Sequence, residues 1–250
     1  MTLLDFSKLP DVSELHAELE SDEERTFAAH MKAREDAFEH IFGETHPPGQ
    51  ILSPDDAQLS VNWPGGGVYA FPPRGERNGW HYVTHGLAQP MDEEEAINAV
   101  DDDERFSGLG VELVIATPES VDWAPSLLIE LVRYLLFDPE ARLIVPGDRI
   151  PTSAIAQLAP GTSLTHIIAT KSPEYGCELK LPAGRCLLVH LVGATASEIA
   201  RAKAMGGREG TDVLVSTLRK LGPGLVTDAS RSCTTTDARF DAAWRECGGS

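Results

Sequence analysis

The chain has 250 residues, of which 42% are hydrophobic and 24% are charged, and its formal net charge is −18. This composition is typical of a soluble globular protein that is long enough to bury a substantial core. The acidic balance argues against unaided binding to nucleic acid or to anionic membranes, because lysine and arginine supply the affinity for phosphate groups. It is compatible with a basic protein partner, and equally with a charge that serves solubility alone.

The N-terminal sequence lacks the basic region followed by an apolar region that marks a secretory signal peptide, and no apolar run is long enough to span a membrane. The four cysteines show no CxxC spacing: Cys177, Cys186, Cys233 and Cys247. In the hairpin register that we expect, Cys177 faces Val189 and Cys186 faces Lys180, so these two should not pair. We therefore expect a cytoplasmic protein with reduced thiols.

The first predicted element is a helix that begins at Ser21, because Ser21 and Glu24 have the spacing of a capping box, and that ends at Gly43. Its apolar residues recur along one face: Phe27, Met31, Phe38, Ile41 and Phe42. The next segment is expected to hold two short strands, at 58–61 and 68–71, on either side of a glycine-rich turn.

The two most strand-like stretches, 79–87 and 107–115, predict core strands of a sheet, since both alternate apolar and polar residues and are rich in aromatic or β-branched side chains. Between them, residues 91–105 carry eight acidic side chains and one arginine. This insert could be a solvated loop, the usual role of a run of charges. It could instead hold a divalent metal through Asp101 and Asp103, although it lacks the glycine and the terminal glutamate of an EF-hand loop. It could also dock a basic partner, since clustered carboxylates accelerate association. The candidate docking residues are Asp101, Asp102, Asp103 and Glu104.

The second half of the chain predicts alternating helices and strands. Asp122 should cap a helix on which Glu130 and Arg133 lie off the apolar stripe and can pair. Strands are expected at 164–170, 177–181 and 185–192, with the last two forming a hairpin. The remaining predicted elements are a helix with a Thr195–Glu198 capping box, a helix capped by Thr211, and a short strand at 225–227.

We find no linker that would divide the chain, so we predict a single α+β domain with a mixed β-sheet packed by helices. Its expected bounds are an N-terminal segment at 1–20, the domain at 21–231, and a loosely ordered tail at 232–250. Phe240 and Trp244 could anchor a short helix in this tail, but we expect it to fray because the segment is poor in apolar residues.

No sequence signature of a hydrolase or a cofactor site is present. Gly108 and Gly110 resemble a dinucleotide loop, but Leu113 stands where the third glycine would be, and a strand bulge or a close approach of strands explains the two glycines better. On one strand, His81 and His85 would lie about 13 Å apart, too far to share a metal. Two further histidines, His166 and His190, stand in apolar strands and are expected in the core.

Glu112 shares a strand face with Gly108 and Gly110, so we expect it to be partly buried and therefore paired. Arg133 and His81 are the predicted partners. A structural salt bridge is the favoured role, ahead of partner binding and of catalysis.

The segment Trp80–Leu87 resembles the tryptophan-histidine-tyrosine strand of Suppressor of fused domains, and Ser107–Leu113 is similar to their Ser-Gly-Phe-Gly-Phe-Glu-Leu strand. Leu131–Tyr134 matches their Leu-Ala-Arg-Tyr helix segment, and the pairs Gly147–Asp148 and Thr227–Asp228, with Arg231 nearby, follow in the expected order. The resemblance covers roughly residues 40 to 231. It implies a polar structural core that consists of His81, Gly108, Gly110, Glu112, Arg133, Asp148 and Asp228.

The resemblance implies an interaction domain, not an enzyme. Animal members sequester Gli-type transcription factors, whose peptide adds as a strand between two domains, and Tyr82 would lie where that peptide approaches. Because we expect no second domain, and because Leu109 and Val111 replace two phenylalanines, a bacterial stand-alone member is the better match. Such members are proposed to be immunity proteins against secreted toxins.

Three functions are therefore weighed for this chain. The first is a cytoplasmic protein, monomeric or weakly dimeric, that occludes a basic toxin partner without a cofactor, direct nucleic-acid binding or membrane contact. The second is a regulator that accepts an extended peptide at a sheet edge. The least favoured is a metal-dependent hydrolase that uses His81, Asp103, Glu112 or Asp148.

Overall fold

The computed structural model describes residues 22–249 apart from residues 64, 76, 91–104, 175, 177 and 223. Within these residues the strands form one mixed seven-stranded sheet, in the order β1-β2-β3-β7-β5-β4, with β6 pairing beside β7. β3 and β7 are parallel, and the other pairs are antiparallel. The strands are β1 (Gly67–Phe71), β2 (Trp80–His85), β3 (Phe106–Thr117), β4 (Arg149–Pro151), β5 (Leu164–Lys171), β6 (Glu178–Leu181) and β7 (Gly184–Thr195).

Helices cover both faces of this sheet. They are α1 (Asp22–Phe42), α2 (Ala57–Asn62), α3 (Trp123–Phe137), α4 (Ala154–Leu158), α5 (Ala196–Met205), α6 (Glu209–Leu221) and α7 (Phe240–Glu246), with a 3-10 turn at Thr234–Thr236. Among the described residues, no helix combines the length and the hydropathy that a membrane span requires. The predicted α+β class with a mixed sheet and helices is confirmed.

The core lies on both sides of the sheet because successive strand residues point to opposite faces. Leu113 packs in a cluster with α3 and α4, whereas its neighbour Val114 packs in a cluster with Phe38 and Phe42 of α1. Helices α5, α6 and α7 cover the other half of the α1 face, over β5 and β7. One face is thus covered by α3 and α4, and the opposite face is shared between α1 and the three C-terminal helices.

The predicted bulge in the glycine segment of β3 is confirmed. The pairing of β3 with β7 shifts between Phe106 and Val111, and both intervening glycines have a positive φ, 55° at Gly108 and 70° at Gly110. A Cβ atom at Gly108 would lie 2.2 Å from the carbonyl oxygen of Gln89. Glycine is therefore required there both by the backbone conformation and by the close approach of a neighbouring segment.

The strand predicted at 58–61 is wrong, because this segment is part of helix α2. The carboxylate of Asp56 accepts a hydrogen bond from the Leu59 N–H at 2.9 Å and caps the helix. Leu59 is fully buried, whereas Val61 is 78% exposed. One buried residue per turn is the helical pattern, and a four-residue window is too short to distinguish it from a strand.

The β6–β7 hairpin forms, but its predicted register is wrong by one residue. Leu181 pairs with Gly184, so the turn contains two residues, and Cys186 faces Leu179 instead of Lys180. Gly184 has φ 130° and pairs within the ladder, whereas the prediction placed it in the turn. Cys177 lies outside the described residues; of the described cysteines, Cys186, Cys233 and Cys247 are free thiols.

The capping box of Thr195 and Glu198 is confirmed at the start of α5. Asp122 precedes α3, but its side chain makes no capping hydrogen bond. Thr211 is not a cap, because α6 already begins at Glu209. The strand predicted at 225–227 is reduced to one bridge, between Val226 and Ala116. The predicted cap at Ser21 lies outside the described residues.

The C-terminal segment differs from the loose tail that we predicted. Helix α7 forms there, and Phe240 and Trp244 are buried with their rings stacked at 5.8 Å between centroids. These two rings pack with α5 and α6 in one cluster. The prediction failed because two large aromatic side chains supply enough apolar area to hold a seven-residue helix, although the rest of the segment is polar.

Candidate functional site

Glu112 lies at the centre of a buried hydrogen-bond network between β2 and β3. Its Oε2 accepts a hydrogen bond from the Thr84 hydroxyl at 2.6 Å, and its Oε1 accepts from the N–H groups of Gly86 and Ala88 at 2.9 and 3.0 Å. The Thr84 hydroxyl itself accepts from the Leu113 N–H at 2.8 Å, which directs its own proton towards Glu112. Each of these neighbours acts as a donor, which is what an ionised carboxylate requires.

The positive charge that faces Glu112 comes from helix α1. Arg34 is 1% exposed, and its Nε lies 4.0 Å from Oε1 of Glu112. Burial raises the pKa of Glu112 and lowers the pKa of Arg34, and the attraction between the two charges opposes both shifts. The expectation that Glu112 is buried in a salt bridge agrees with this geometry. The partners predicted for it, Arg133 and His81, are wrong.

The sequence contains a pattern that could have identified Arg34 as a buried charged residue. Arg34 falls between Met31 and Phe38 on the apolar stripe of α1, where a charged residue is expected to meet a buried partner. The partner itself could not be identified, because the stripe does not reveal which strand lies beneath it.

The same network holds both ends of the acidic segment 91–104. On the β2 side, Gly86 and Ala88 donate to Glu112. On the β3 side, the Ser107 hydroxyl donates to the Ala88 carbonyl at 2.6 Å, and the Leu109 N–H donates to the Leu87 carbonyl at 2.9 Å. We call residues 86–90 and 105–109 the loop roots.

The loop roots also connect to the next strand. The carbonyl of Arg105 accepts a hydrogen bond from the Arg185 N–H at 2.7 Å, and the Arg185 guanidinium lies over the Phe106 ring at 4.9 Å. Phe106 is 43% exposed. The predicted docking residues lie outside the described residues: Asp101, Asp102, Asp103 and Glu104. The loop roots on either side of that segment are therefore held in place by hydrogen bonds.

Three histidines are buried on the α1 face of the sheet. Burial lowers the pKa of His81 and of His85 to about 3 and the pKa of His190 to about 4, so all three are neutral near pH 7. The ring of His81 lies 6.3 Å from that of His190 and 5.8 Å from that of Phe42. His190 Nε2 lies 2.9 Å from the carbonyl of Leu225.

These histidines do not form a metal centre. Among the residues that the structure describes, no group of three or more histidine, cysteine, aspartate or glutamate side chains is placed to hold a metal ion. His81 instead packs among aromatic rings, and its Nδ1 lies 3.3 Å from the Gly79 carbonyl. Its placement agrees with the structural role that the resemblance implied.

Tyr82 does not lie on the surface, as a direct contact with a partner would require. Its side chain is 2% exposed and packs in the α3 cluster. Its hydroxyl accepts a hydrogen bond from the Val121 N–H at 2.8 Å and so braces the loop before α3. The strand alternation that turns His81 and Val83 towards α1 turns Tyr82 towards α3.

The remaining predicted polar residues each stabilise a local turn or contact. Arg133 pairs with Asp56 at 2.7 Å and, as predicted, with Glu130 at 3.7 Å, so it links α3 to the cap of α2. Asp148 accepts from the Val145 N–H at 2.9 Å. Asp228 accepts from the N–H and hydroxyl of Ser230 at 2.8 and 2.6 Å. Each of the three residues therefore has its own local partners.

A second buried ion pair, between Glu198 and Arg231, joins α5 to the C-terminal segment. Both guanidinium Nη atoms donate to the carboxylate, at 2.6 and 2.7 Å, and Nη2 also donates to the Gly193 carbonyl at 2.9 Å. Burial alone would raise the pKa of Glu198, but the hydrogen bonds and the charge of Arg231 outweigh it and lower that pKa to about 2. The sequence pattern indicates Glu198 only as part of a capping box.

The charge of the chain is unevenly distributed. Residues 1–148 contain 30 acidic and 9 basic side chains, whereas residues 149–250 contain 9 acidic and 12 basic ones. The acidic part includes α1 and segment 91–104, and the weakly basic part includes α5, α6 and α7. The net charge of −18 therefore comes from the first 148 residues of the sequence and not from the C-terminal part.

The fold is similar to that of solved Suppressor of fused structures. The chain of the Sufu–Fu complex crystal structure is 22% identical, with 86% of this chain and 95% of that chain covered and a TM-score of 0.62. Suppressor of Fused from Drosophila is 18% identical, with 87% of this chain and 54% of that chain covered and a TM-score of 0.62. This chain therefore spans about half of the Drosophila protein.

A bacterial structure is also similar. A SUFU homologue from Neisseria gonorrhoeae FA 1090 is 16% identical, with 84% of this chain and 98% of that chain covered and a TM-score of 0.56. A search among curated proteins finds no match. The family model for Suppressor of fused protein (SUFU) matches residues 63–232, a stretch that contains β1 to β7 and both strands of the Glu112 network. The chain therefore belongs to the Suppressor of fused family.

Proposed function

We propose that this chain is a protein-binding module. The observation that carries the proposal is its membership of the Suppressor of fused family, together with its likeness to a Sufu chain that was crystallised in complex with Fu. The buried residues agree with this role, because Glu112 and His81 make contacts within the fold.

We further propose that the partner is basic and that the chain acts by occlusion, as an immunity-type protein does towards a toxin. The support is the concentration of acidic side chains in residues 1–148. Clustered carboxylates steer a positively charged partner and disfavour neutral ones. Asp101, Asp102, Asp103 and Glu104 are the proposed contacts, since the loop roots on either side of them are held by the sheet.

The proposal is tested by affinity capture with the full chain from lysate of its source cells, followed by measurement of the dissociation constant of any stoichiometric partner. A charge-masking complex should weaken by at least about tenfold between about 0.05 and about 0.5 M NaCl, because the Debye length shrinks over this range. A variant with Asp101, Asp102, Asp103 and Glu104 changed to their amides should associate more slowly. A partner that binds equally well at both salt concentrations would contradict the charge-masking mechanism.

A second mode, addition of a peptide strand, is favoured by one observation. In the part of the chain that the structure describes, β6 pairs only with β7, so its other edge is an edge of the sheet. An extended peptide could pair there through main-chain hydrogen bonds. Under this mechanism a short synthetic peptide from the partner would suffice for binding, with little dependence on salt. Protection of the β6 backbone amides from hydrogen exchange when the peptide is added would identify this mode of binding.

We also propose that the chain has no catalytic activity. His81 packs in the aromatic layer under α1, while Glu112 is occupied by Thr84 and two backbone N–H groups. Asp148 caps a turn through the Val145 N–H. Turnover of a small molecule that H81Q or E112Q abolishes, in a variant that still folds, would refute this proposal.

A further inference from the structure

The guanidinium of Arg34 is buried between α1 and the sheet, and two of its donors lack a hydrogen-bond acceptor. Its side chain is 1% exposed, and that of its counter-charge, Glu112, is 0% exposed. Among the residues that the structure describes, Nε and Nη1 of Arg34 meet no acceptor within hydrogen-bond distance. Buried donors are nearly always paired, because leaving one unpaired is destabilising. The two donors therefore point to a further group at this position.

The hydrogen bonds of Glu112 show which of its lone pairs remain. Oε1 accepts from the N–H groups of Gly86 and Ala88, and these two bonds use both lone pairs of that oxygen. Oε2 accepts from the Thr84 hydroxyl, which leaves one lone pair of this oxygen open. Arg34 thus faces the oxygen that is already fully used, while an acceptor site remains beside it.

The distance between the two side chains suits one bridging molecule. Nε of Arg34 lies 4.0 Å from Oε1 of Glu112. A direct N–H···O bond ends near about 3.2 Å, whereas two hydrogen bonds of about 2.8 Å that share a water span up to about 5.6 Å. A water can therefore accept from Nε and donate to the open lone pair of Oε2.

The charges on either side select a small neutral group that both accepts and donates. An anion would be attracted by Arg34 but repelled by Glu112, and a cation would experience the reverse. The nearby Cys186 thiol adds no charge, because burial raises its pKa. Since Arg34, Glu112 and Cys186 are almost wholly buried, the site is closed to larger ligands.

We propose that at least one ordered water molecule is bound between Arg34 and Glu112 and connects α1 to the loop roots. This water accepts from Arg34 Nε and donates to Glu112, which in turn accepts from Gly86 and Ala88. A second water would satisfy Nη1 in the same way. Proteins hold on the order of one buried water per 27 residues, so a chain of 250 residues is expected to contain several. The inference does not depend on which partner the chain binds.

The first test is a high-resolution crystal structure of the full wild-type chain. A solvent peak should lie within hydrogen-bond distance of both Arg34 Nε and a carboxylate oxygen of Glu112. A direct N–H···O bond between the two side chains, without such a peak, would overturn the inference. Crystals soaked in sodium bromide should show no anomalous scattering at this position. A bromide peak there would identify an anion site and would also refute the proposal.

The second test counts long-lived internal waters in solution by ¹⁷O relaxation dispersion, which exchange of labile hydrogens does not affect. The dispersion amplitude of the wild type should exceed that of R34M/E112Q by the equivalent of at least one water, because methionine offers no N–H donor. The matched control is R133M, which makes the same replacement at an arginine that is 37% exposed and should keep the wild-type amplitude.

Two results in solution would contradict the bridging water. These are equal amplitudes in the wild type and R34M/E112Q, or an equal loss in R133M. The crystal structure of the wild type decides the question even if R34M/E112Q does not fold.

Discussion

The buried pair of Arg34 and Glu112 gives the sharpest test of what stabilises this fold. Replacing Arg34 by methionine keeps most of the side-chain volume but leaves the carboxylate of Glu112 buried without a counter-charge. Replacing Glu112 by glutamine keeps an oxygen that accepts hydrogen bonds from the N–H groups of Gly86 and Ala88, but it leaves the guanidinium of Arg34 without a counter-charge. Removing one partner of a buried ion pair costs about 3–5 kcal/mol. Either variant would thus lose a large part of the ~5–15 kcal/mol that stabilises a typical domain.

The double variant R34M/E112Q should be more stable than the sum of the two single changes predicts. It leaves no buried charge at this position, and pairs that are replaced by groups of similar volume often cost little. A coupling free energy of at least about 2 kcal/mol is expected for residues in direct contact. The assay is urea unfolding followed by tryptophan fluorescence, with all four variants compared at one pH.

The control is R133M, which removes an ion pair whose arginine side chain is 37% exposed. This change should alter stability little, because water screens such pairs. If R34M and E112Q were each as mild as R133M, or if their effects simply added, Arg34 and Glu112 would not form an ionised pair that holds α1 on the sheet. That result would refute the electrostatic account of the network.

Three further predictions concern other parts of the fold. The buried histidines His81, His85 and His190 have pKa values that are lowered from 6.5. They should make the protein sensitive to mild acid, because their contribution to stability is present above pH 6.5 and is lost as the pH falls. Between pH 7.5 and 5.5 the loss should reach about 4 kcal/mol for the three together; urea titrations at each pH measure it, and an unchanged free energy of unfolding over this range would contradict it. G108A should destabilise the fold far more than G75A, because both glycines have φ near 60° but a Cβ meets a backbone carbonyl only at Gly108; equal unfolding midpoints would contradict this. R231M should leave Glu198 buried without its counter-charge and expose the C-terminal segment to limited proteolysis, which mass spectrometry of the fragments detects; unchanged cleavage would show that Phe240 and Trp244 hold the segment without the ion pair.

Much of the fold could be predicted because the local signals agree with the tertiary environment. The strand patterns of 79–87 and 107–115 recur as β2 and β3, and the capping box at Thr195 is formed as its spacing indicates. The 58–61 segment failed for the opposite reason. Whether this segment forms a helix depends on the Asp56 cap and on the burial of Leu59. Neither can be recognised from the pattern of four residues.

The candidate site was less predictable, because its geometry is made by contacts between distant segments. Glu112 could be identified as a buried group that needs a partner, but Arg34 is 78 residues away in sequence and belongs to another layer. Tyr82 shows the converse error. The resemblance placed it near a partner, while the two-residue period of β2 places it in the core beside α3.

Under α1 a polar network lies beside the apolar cluster of Phe38 and Phe42. Over β5 and β7 the C-terminal helices likewise combine apolar packing, as at Leu214 and Trp244, with the Glu198–Arg231 ion pair. At the other end, Glu112 accepts hydrogen bonds from Gly86 and Ala88, and so it fixes the exact backbone path of a loop root. Hydrogen bonds depend on direction and distance, whereas apolar burial depends mainly on area. A protein that presents acidic segments to a partner needs their chain ends held in one geometry, since ordering them on binding would cost affinity. Stability at Glu112 and affinity at the surface are therefore expected to be coupled: E112L, which removes both acceptors from the loop root, should slow association of a partner that contacts segment 91–104, whereas E112Q, which keeps them, should slow it much less.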